Sequence, residues 1–323
     1  MIDRLGKYSS FPDKVVNKIG RMVNDYHVSR GLPQKSFLAD DSIIIFSEPR
    51  GGSTWLMELL GQALPVCTSW EPLHPIQGVV PQELQLGWIP YLNPEQTSEA
   101  HVNLFHQIHA FKIHNSWTRK YLTRDQIEHN HLVMVKYVRA NHLIPFLLKH
   151  LTFNYPPIFL IRHPIDCCLS QIKNFETDPR TQNRMPQWLE LEAFVHHTAY
   201  LNQLPSRLEV KIALWAIVNA PIIKNLDQHH LLPVHYSDLL TNPKETLEKI
   251  SSKYQLGDPQ LLDQINYQRA SKSNFKRDFK QDTQEQLHKN INGLDRKTKD
   301  RIQDIFDHFG LSLFSAYSPY PKR

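Results

Sequence analysis

An α/β architecture, a parallel sheet with helices on both faces, is the fold class this 323-residue chain predicts, on three observations. Short apolar runs rich in β-branched residues recur at 43–46, 132–138, 158–161 and 231–236. They are predominantly apolar rather than alternating, the pattern of strands buried on both faces. Helix-length segments separate them, so the strands run parallel, and ligands are expected at their carboxyl ends.

Each element follows from local chemistry. Residues 1–40 predict a helical N-terminal extension, with Val15, Val16, Ile19 and Val23 on one side. The first strand spans about 42–47 and is stopped by Pro49. Gly51 and Gly52 permit a sharp turn, and Ser53 and Thr54 suit the start of a helix over about 53–64. Residues 65–100, rich in proline and glycine and carrying Trp70, Trp88 and Tyr91, read as a long loop with short helical pieces. Ala110–Ile113 reads as a short strand and Leu132–Val138 as a clear one, with a helix near His142–His150. Ile158–Ile161 is a buried strand, and Pro164 suits the first turn of the helix behind it. Residues 174–205 are irregular and then partly helical; helices follow at Leu208–Ile223, from Asn242-Pro243 to about Ser252, and near Lys297–Phe309. A single domain over 1–323 is expected, without internal repeats.

Composition bounds the function. A net charge of +5, from 37 basic and 32 acidic residues, suits an anionic ligand and is too dispersed for a nucleic-acid surface. No apolar stretch approaches the roughly 18–20 residues of a membrane span. The first residues lack the apolar core of a signal peptide, which predicts a cytoplasmic protein. Cys67, Cys167 and Cys168 cannot all pair internally, so reduced thiols are expected. The histidines at 101, 106, 109, 114, 196 and 197 match no zinc spacing, and no metal is expected. Oligomeric state has no signature in the sequence.

Two motifs carry anion chemistry. In Pro49-Arg50-Gly51-Gly52-Ser53-Thr54 a strand, a glycine turn and a helix start offer free N–H groups and a positive dipole end, with Arg50 beside them. The lysine that a nucleoside-triphosphate loop places after its second glycine is missing. In the second motif a buried strand delivers Arg162 to the sheet end, and Ser170 follows about two helical turns later. An arginine fork and a hydroxyl can converge there on one phosphate; the simpler alternative is an Arg162–Asp166 pair.

In this order and spacing the motifs resemble the sulfotransferases that use 3′-phosphoadenosine-5′-phosphosulfate, closer to their bacterial and carbohydrate-type branch. Gly51 stands where the first signature usually has serine. Lys136-Tyr-Val-Arg139 and Tyr236-Ser-Asp-Leu-Leu-Thr-Asn-Pro243 are similar to further family segments, with Ser237 in place of a usual glutamate. The resemblance covers about 42–250 and implies a three-layer, P-loop NTPase-like sulfotransferase fold. It implies that Arg50 and the backbone of Gly51, Gly52, Ser53 and Thr54 hold the 5′-phosphosulfate. Arg162 and Ser170 would hold the 3′-phosphate, and Trp55 would stack on adenine, although core packing explains Trp55 nearly as well. The product would be 3′,5′-bisphosphoadenosine. The family's late glycine-rich closing element is missing, and Ser271-Lys-Ser-Asn-Phe-Lys276 is a basic replacement candidate.

Sulfuryl transfer to a hydroxyl needs a general base. Glu71 in Trp70-Glu-Pro-Leu-His-Pro75 is the first choice, similar to the Glu-Pro context of carbohydrate-type members. A carboxylate gains basicity on desolvation, which Trp70 and Leu73 would supply. His114, after Lys112 at a strand end, is the second choice and His74 the third; Lys112 is an alternative sulfate ligand. The acceptor, a carbohydrate, lipid or small molecule, is expected against residues 65–100 and 174–210, with Trp70, Trp88, Tyr91, Trp188 and Tyr200 as its wall. The competing functions are a P-loop kinase or other nucleoside-triphosphate enzyme, and a non-catalytic module binding an anionic ligand.

Overall fold

The computed structural model describes residues 11–175, 187–268 and 282–322. Five strands form one wholly parallel sheet in the order β2-β3-β1-β4-β5. They are β1 (Ile43–Ser47), β2 (Val66–Trp70), β3 (Leu132–Val138), β4 (Ile158–Ile161) and β5 (Leu232–His235). The helices are α1 (Phe11–Gly31), α2 (Ser53–Ala63), α3 (Glu99–His109), α4 (Arg124–His129), α5 (Ile144–His150), α6 (Pro164–Phe175), α7 (Thr198–Leu201), α8 (Arg207–Lys224), α9 (Tyr236–Thr241), α10 (Pro243–Tyr254), α11 (Pro259–Gln264), α12 (Thr283–Asn292) and α13 (Arg296–His308).

Successive side chains of a strand point to opposite faces, so each strand feeds two cores. Ile43 and Ile45 of β1, Leu132 and Met134 of β3, and Ile158 and Leu160 of β4 pack with α2, α9, α10 and α11. Ile44 and Phe46, Val133 and Val135, and Phe159 and Ile161 pack on the other face with α3, α5, α6, α8 and α13. The strands are apolar on both sides because helices cover both sides, giving the three-layer α/β fold the sequence predicts.

Two expectations are corrected. Residues 65–100 are not all loop: Val66–Trp70 is a strand paired in register with β3, Val66 opposite Leu132 and Trp70 opposite Lys136. Its small polar residues disguise it. Thr68 and Ser69 are buried, and both Thr68 Oγ1 and Cys67 Sγ reach Gln126 of α4. Ala110–Ile113 is not a strand but a turn after α3, where Phe111 takes a positive φ of 53°. Among the described residues, no helix is long and apolar enough to cross a membrane.

Candidate active site

β3 and β4 flank β1 on opposite sides, so a crevice opens above the carboxyl end of β1. A cleft with a cavity volume of about 260 Å³ lies there, lined by Arg50, Gly52–Trp55, Trp70, Glu71, Lys136, Arg139, Arg162, Phe175 and Tyr236 among others. One polar residue follows each of three adjacent strands in a left-handed backbone conformation: Glu71 after β2 (φ 37°), Arg139 after β3 (φ 65°) and Arg50 in the loop after β1 (φ 65°). Non-glycine residues rarely adopt this conformation, and it clusters where a fold aims side chains at a site.

The glycine loop is built by close approach. A Cβ on Gly51 would sit 2.2 Å from Ser47 Oγ and 2.8 Å from the Glu48 carbonyl, so no side chain fits there. Gly52 has φ 98°, and a Cβ on it would lie 2.5 Å from the Tyr236 ring. Gly52, rather than Ser53, is the N-cap of α2. The N–H groups of Gly52, Ser53 and Thr54 meet no backbone acceptor among the described residues, leaving the positive end of α2 open to the cleft.

The two sequence motifs meet. Arg50 Nε donates to Ser170 Oγ at 3.1 Å, and Arg162 Nη1 donates to the Arg50 carbonyl at 2.9 Å. Gln171 Nε2 and Cys167 Sγ of α6 donate to the Pro49 carbonyl, pinning the loop to the helix that carries Ser170. The Arg162 guanidinium stacks over the Tyr236 ring at 4.5 Å, while its buried Nε has no hydrogen-bond partner. The expected Arg162–Asp166 alternative is not formed: Asp166 instead accepts from Asn290 at 2.8 Å. Burial, followed by the neighbouring charge of Arg162, lowers the Arg50 pKa. Two guanidiniums in one cleft suit an anionic ligand.

Opposite them stands the pair Lys136–Glu71. Lys136 Nζ lies 2.6 Å from Glu71 Oε1, 3.5 Å from Thr54 Oγ1 and 3.4 Å from the centre of the Trp70 ring. Its side chain is 1% exposed, and burial, opposed by Glu71, pulls its pKa down to about 8. Glu71 is also held by its backbone: its N–H donates to the Lys136 carbonyl, and its carbonyl accepts from Trp117 Nε1.

The other sequence candidates lie elsewhere or are spoken for. His114 does not line the cleft; its Nδ1 meets Arg119 Nη1 at 2.9 Å, and Arg119 pairs with Asp25. Lys112 is exposed and also absent from the lining. His74 Nδ1 accepts from the N–H groups of Ile76 and Gln77, which leaves a neutral ring with its proton on Nε2, a donor rather than a base. Trp55 is 5% exposed and packs in the core while lining the cleft. Trp70 also lines the cleft, and Trp88 reaches its edge through Arg139. Tyr91 and Trp188 instead pack around His142 and Phe194, and Tyr200 stacks on His308. Ser271–Lys276 lies outside the described residues. Among the described residues no cluster of three His, Cys, Asp or Glu side chains could hold a metal ion.

Sequence reasoning did not place Lys136 and Arg139 in the cleft. The signal was there for Lys136: a lysine inside the apolar run Leu132–Val138 must be paired if the run is a buried strand.

Residues 42–259 match the family model described as "Sulfotransferase family". No functionally curated protein matches the chain. Among solved structures, it is similar to the sulfotransferase domain of the Synechococcus PCC 7002 olefin synthase at 16% identity and a TM-score of 0.45, over 84% of this chain and 94% of that one. It is also similar to the sulfotransferase domain from the curacin biosynthetic pathway at 17% identity and a TM-score of 0.45, over 84% of this chain and 98% of that one.

Proposed function

The chain belongs to the sulfotransferase family, and from that premise we propose that it transfers a sulfuryl group from 3′-phosphoadenosine-5′-phosphosulfate to an acceptor hydroxyl. The observation that carries this reading is the convergence of Arg50, Arg162 and Ser170 beside the open N–H groups of α2, with Glu71 in the same cleft. The donor set fits a molecule with two separate anionic ends. The orphaned Arg162 Nε and the Ser170 hydroxyl suit a 3′-phosphate, and Arg50 with the Gly52–Thr54 N–H groups suits a 5′-phosphosulfate. When bound, the nucleotide would supply the sulfuryl group and a phosphate leaving group.

The chain's own residues account for the rest. In-line displacement is helped by holding both ends and neutralising the leaving oxygen, a task that falls to Arg50 and the head of α2. Lys136, between Thr54 and Glu71, is placed to follow charge on the transferred group. It also fixes Glu71 through Oε1, leaving Oε2 to take the acceptor's proton. Trp70, flat against Lys136, excludes water from that side. The missing loop lysine weighs against nucleoside triphosphates, so kinase chemistry is disfavoured. The three thiols are buried and form no disulfide, which fits a reducing, cytoplasmic setting.

The test is an acceptor screen with 3′-phosphoadenosine-5′-phosphosulfate, read by mass spectrometry. Acceptors gaining one sulfuryl group with wild type, and not with Glu71→Gln, support the reading. ATP turnover without sulfuryl transfer would replace it with the kinase reading.

A further inference from the structure

Among the described residues, Arg139 is the one cleft cation that the donor reading leaves without work. Arg50 donates to Ser170, Arg162 donates to the Arg50 carbonyl, and Lys136 is paired with Glu71. The Arg139 guanidinium, by contrast, makes no side-chain hydrogen bond and no ion pair among the described residues. It is held by faces instead, 5.2 Å from the centre of the Trp88 ring and 5.8 Å from that of Phe175. Trp88 belongs to the segment 65–100 and Phe175 ends α6, so Arg139 sits where two walls of the cleft meet. Both rings are about half exposed, at 50% and 43%. Stacking fixes the plane of a guanidinium and leaves its edge of N–H donors open.

The backbone holds Arg139 as firmly as it holds Glu71 and Arg50. All three share the left-handed conformation, and the Arg139 N–H donates to the Ser47 carbonyl. Burial disfavours its charge, while Glu71 and Glu48 on either side favour it without coming into ion-pair contact. A desolvated cation with no direct counter-ion is costly, and an anionic ligand relieves that cost.

We infer that Arg139, stacked between Trp88 and Phe175, binds a carboxylate on the acceptor, whose substrate class is therefore hydroxy acids with an apolar body. The inference rests on the sulfuryl-transfer reading above. Arg139 takes the acceptor's carboxylate by its planar fork, the rings take the apolar body, and the hydroxyl comes to Glu71 on the next strand. Arg139 is then a specificity residue, and the donor nucleotide does not need it.

The test uses the full chain saturated with 3′,5′-bisphosphoadenosine. Aryl and medium-chain hydroxy acids, each paired with its methyl ester, are titrated by calorimetry. A charge-assisted hydrogen bond predicts that wild type binds the best acid about tenfold to a hundredfold more tightly than its ester. Arg139→Gln should bring that ratio near one, and Arg139→Lys should keep part of it. The inference is overturned if no acid outbinds its ester, or if Arg139→Gln weakens acid and ester equally. Thermal stabilisation by 3′,5′-bisphosphoadenosine over 5′-AMP, without acceptor, is read separately. Its absence in wild type sinks the donor reading, whereas its presence with no acid preference sinks only the acceptor inference.

Discussion

Lys136→Met removes a charge while keeping most of the side-chain volume, and so isolates the pair on which Glu71 depends. Lys136 is 1% exposed and its Nζ lies 2.6 Å from Glu71 Oε1. Breaking a buried ion pair by removing one partner costs about 3–5 kcal/mol. Glu71 keeps 18% of its side-chain surface, so water recovers part of the loss, and about 2–3 kcal/mol is expected. That corresponds to a fall of roughly 3–5 °C in the midpoint of thermal unfolding for a chain of this length. With Glu71→Gln and the double variant, a double-mutant cycle should give a coupling of about 2 kcal/mol. The pH dependence supplies a second reading. Burial brings Lys136 to about 8 in the folded protein, against about 10.4 for a free lysine. Between these values the unfolded chain binds more protons, so this group makes stability rise with pH, an increment that Lys136→Met lacks. A variant as stable as wild type, a coupling near zero, or the same pH increment in both proteins would refute the argument.

The remaining predictions concern the loop and the base. Gly51→Ser, which restores the residue the family usually carries, should destabilise by about 1–3 kcal/mol because its Cβ meets Ser47 Oγ and the Glu48 carbonyl; chemical denaturation with and without Ser47→Ala checks it, the second change recovering part. Gly52→Ala combines a positive φ with a Cβ 2.5 Å from Tyr236, so it should lose at least about 1 kcal/mol and weaken nucleotide binding, read by denaturation and calorimetry. Glu71→Gln should lower sulfuryl transfer by about 10²–10⁴-fold at unchanged nucleotide affinity. His114→Ala should leave turnover within about threefold and cost about 1 kcal/mol of stability through its contact with Arg119. Activity of wild type should fall above about pH 8 as Lys136 loses its proton.

The sheet was legible where strands are apolar on both sides. Leu132–Val138 and Ile158–Ile161 have the predicted bounds, because helices on both faces demand apolar residues on both sides of a strand, with the one exception, Lys136, paired to Glu71. β2 was hidden because its buried Thr68 and Ser69 carry the composition of a loop, and only pairing with β3 and contact with Gln126 make it a strand. The same error misplaced Glu71, which follows a strand directly rather than lying in a long loop. That both anion motifs open at the carboxyl ends of strands was legible from motif order, and those strands, β1 and β4, are neighbours; the direct contact of Arg50 with Ser170 was not, because the sequence assigns the two to different ends of the ligand. The settings of Lys136 and Arg139 in the cleft were not legible either, because their contacts come from neighbours far along the chain: Glu71 and Thr54 for one, Trp88 and Phe175 for the other. The position of His114 outside the cleft was hidden for a related reason. The turn at Phe111 sends it toward Arg119 and Asp25.

The most direct test of the central claim is calorimetric titration of the wild-type chain with 3′,5′-bisphosphoadenosine and with 5′-AMP. Charge-assisted contacts from Arg162 and Ser170 to a 3′-phosphate predict that the bisphosphate binds about tenfold to a hundredfold more tightly. Arg162→Ala and Ser170→Ala should each narrow that difference. Equal affinity of the wild-type protein for the two nucleotides would contradict the account.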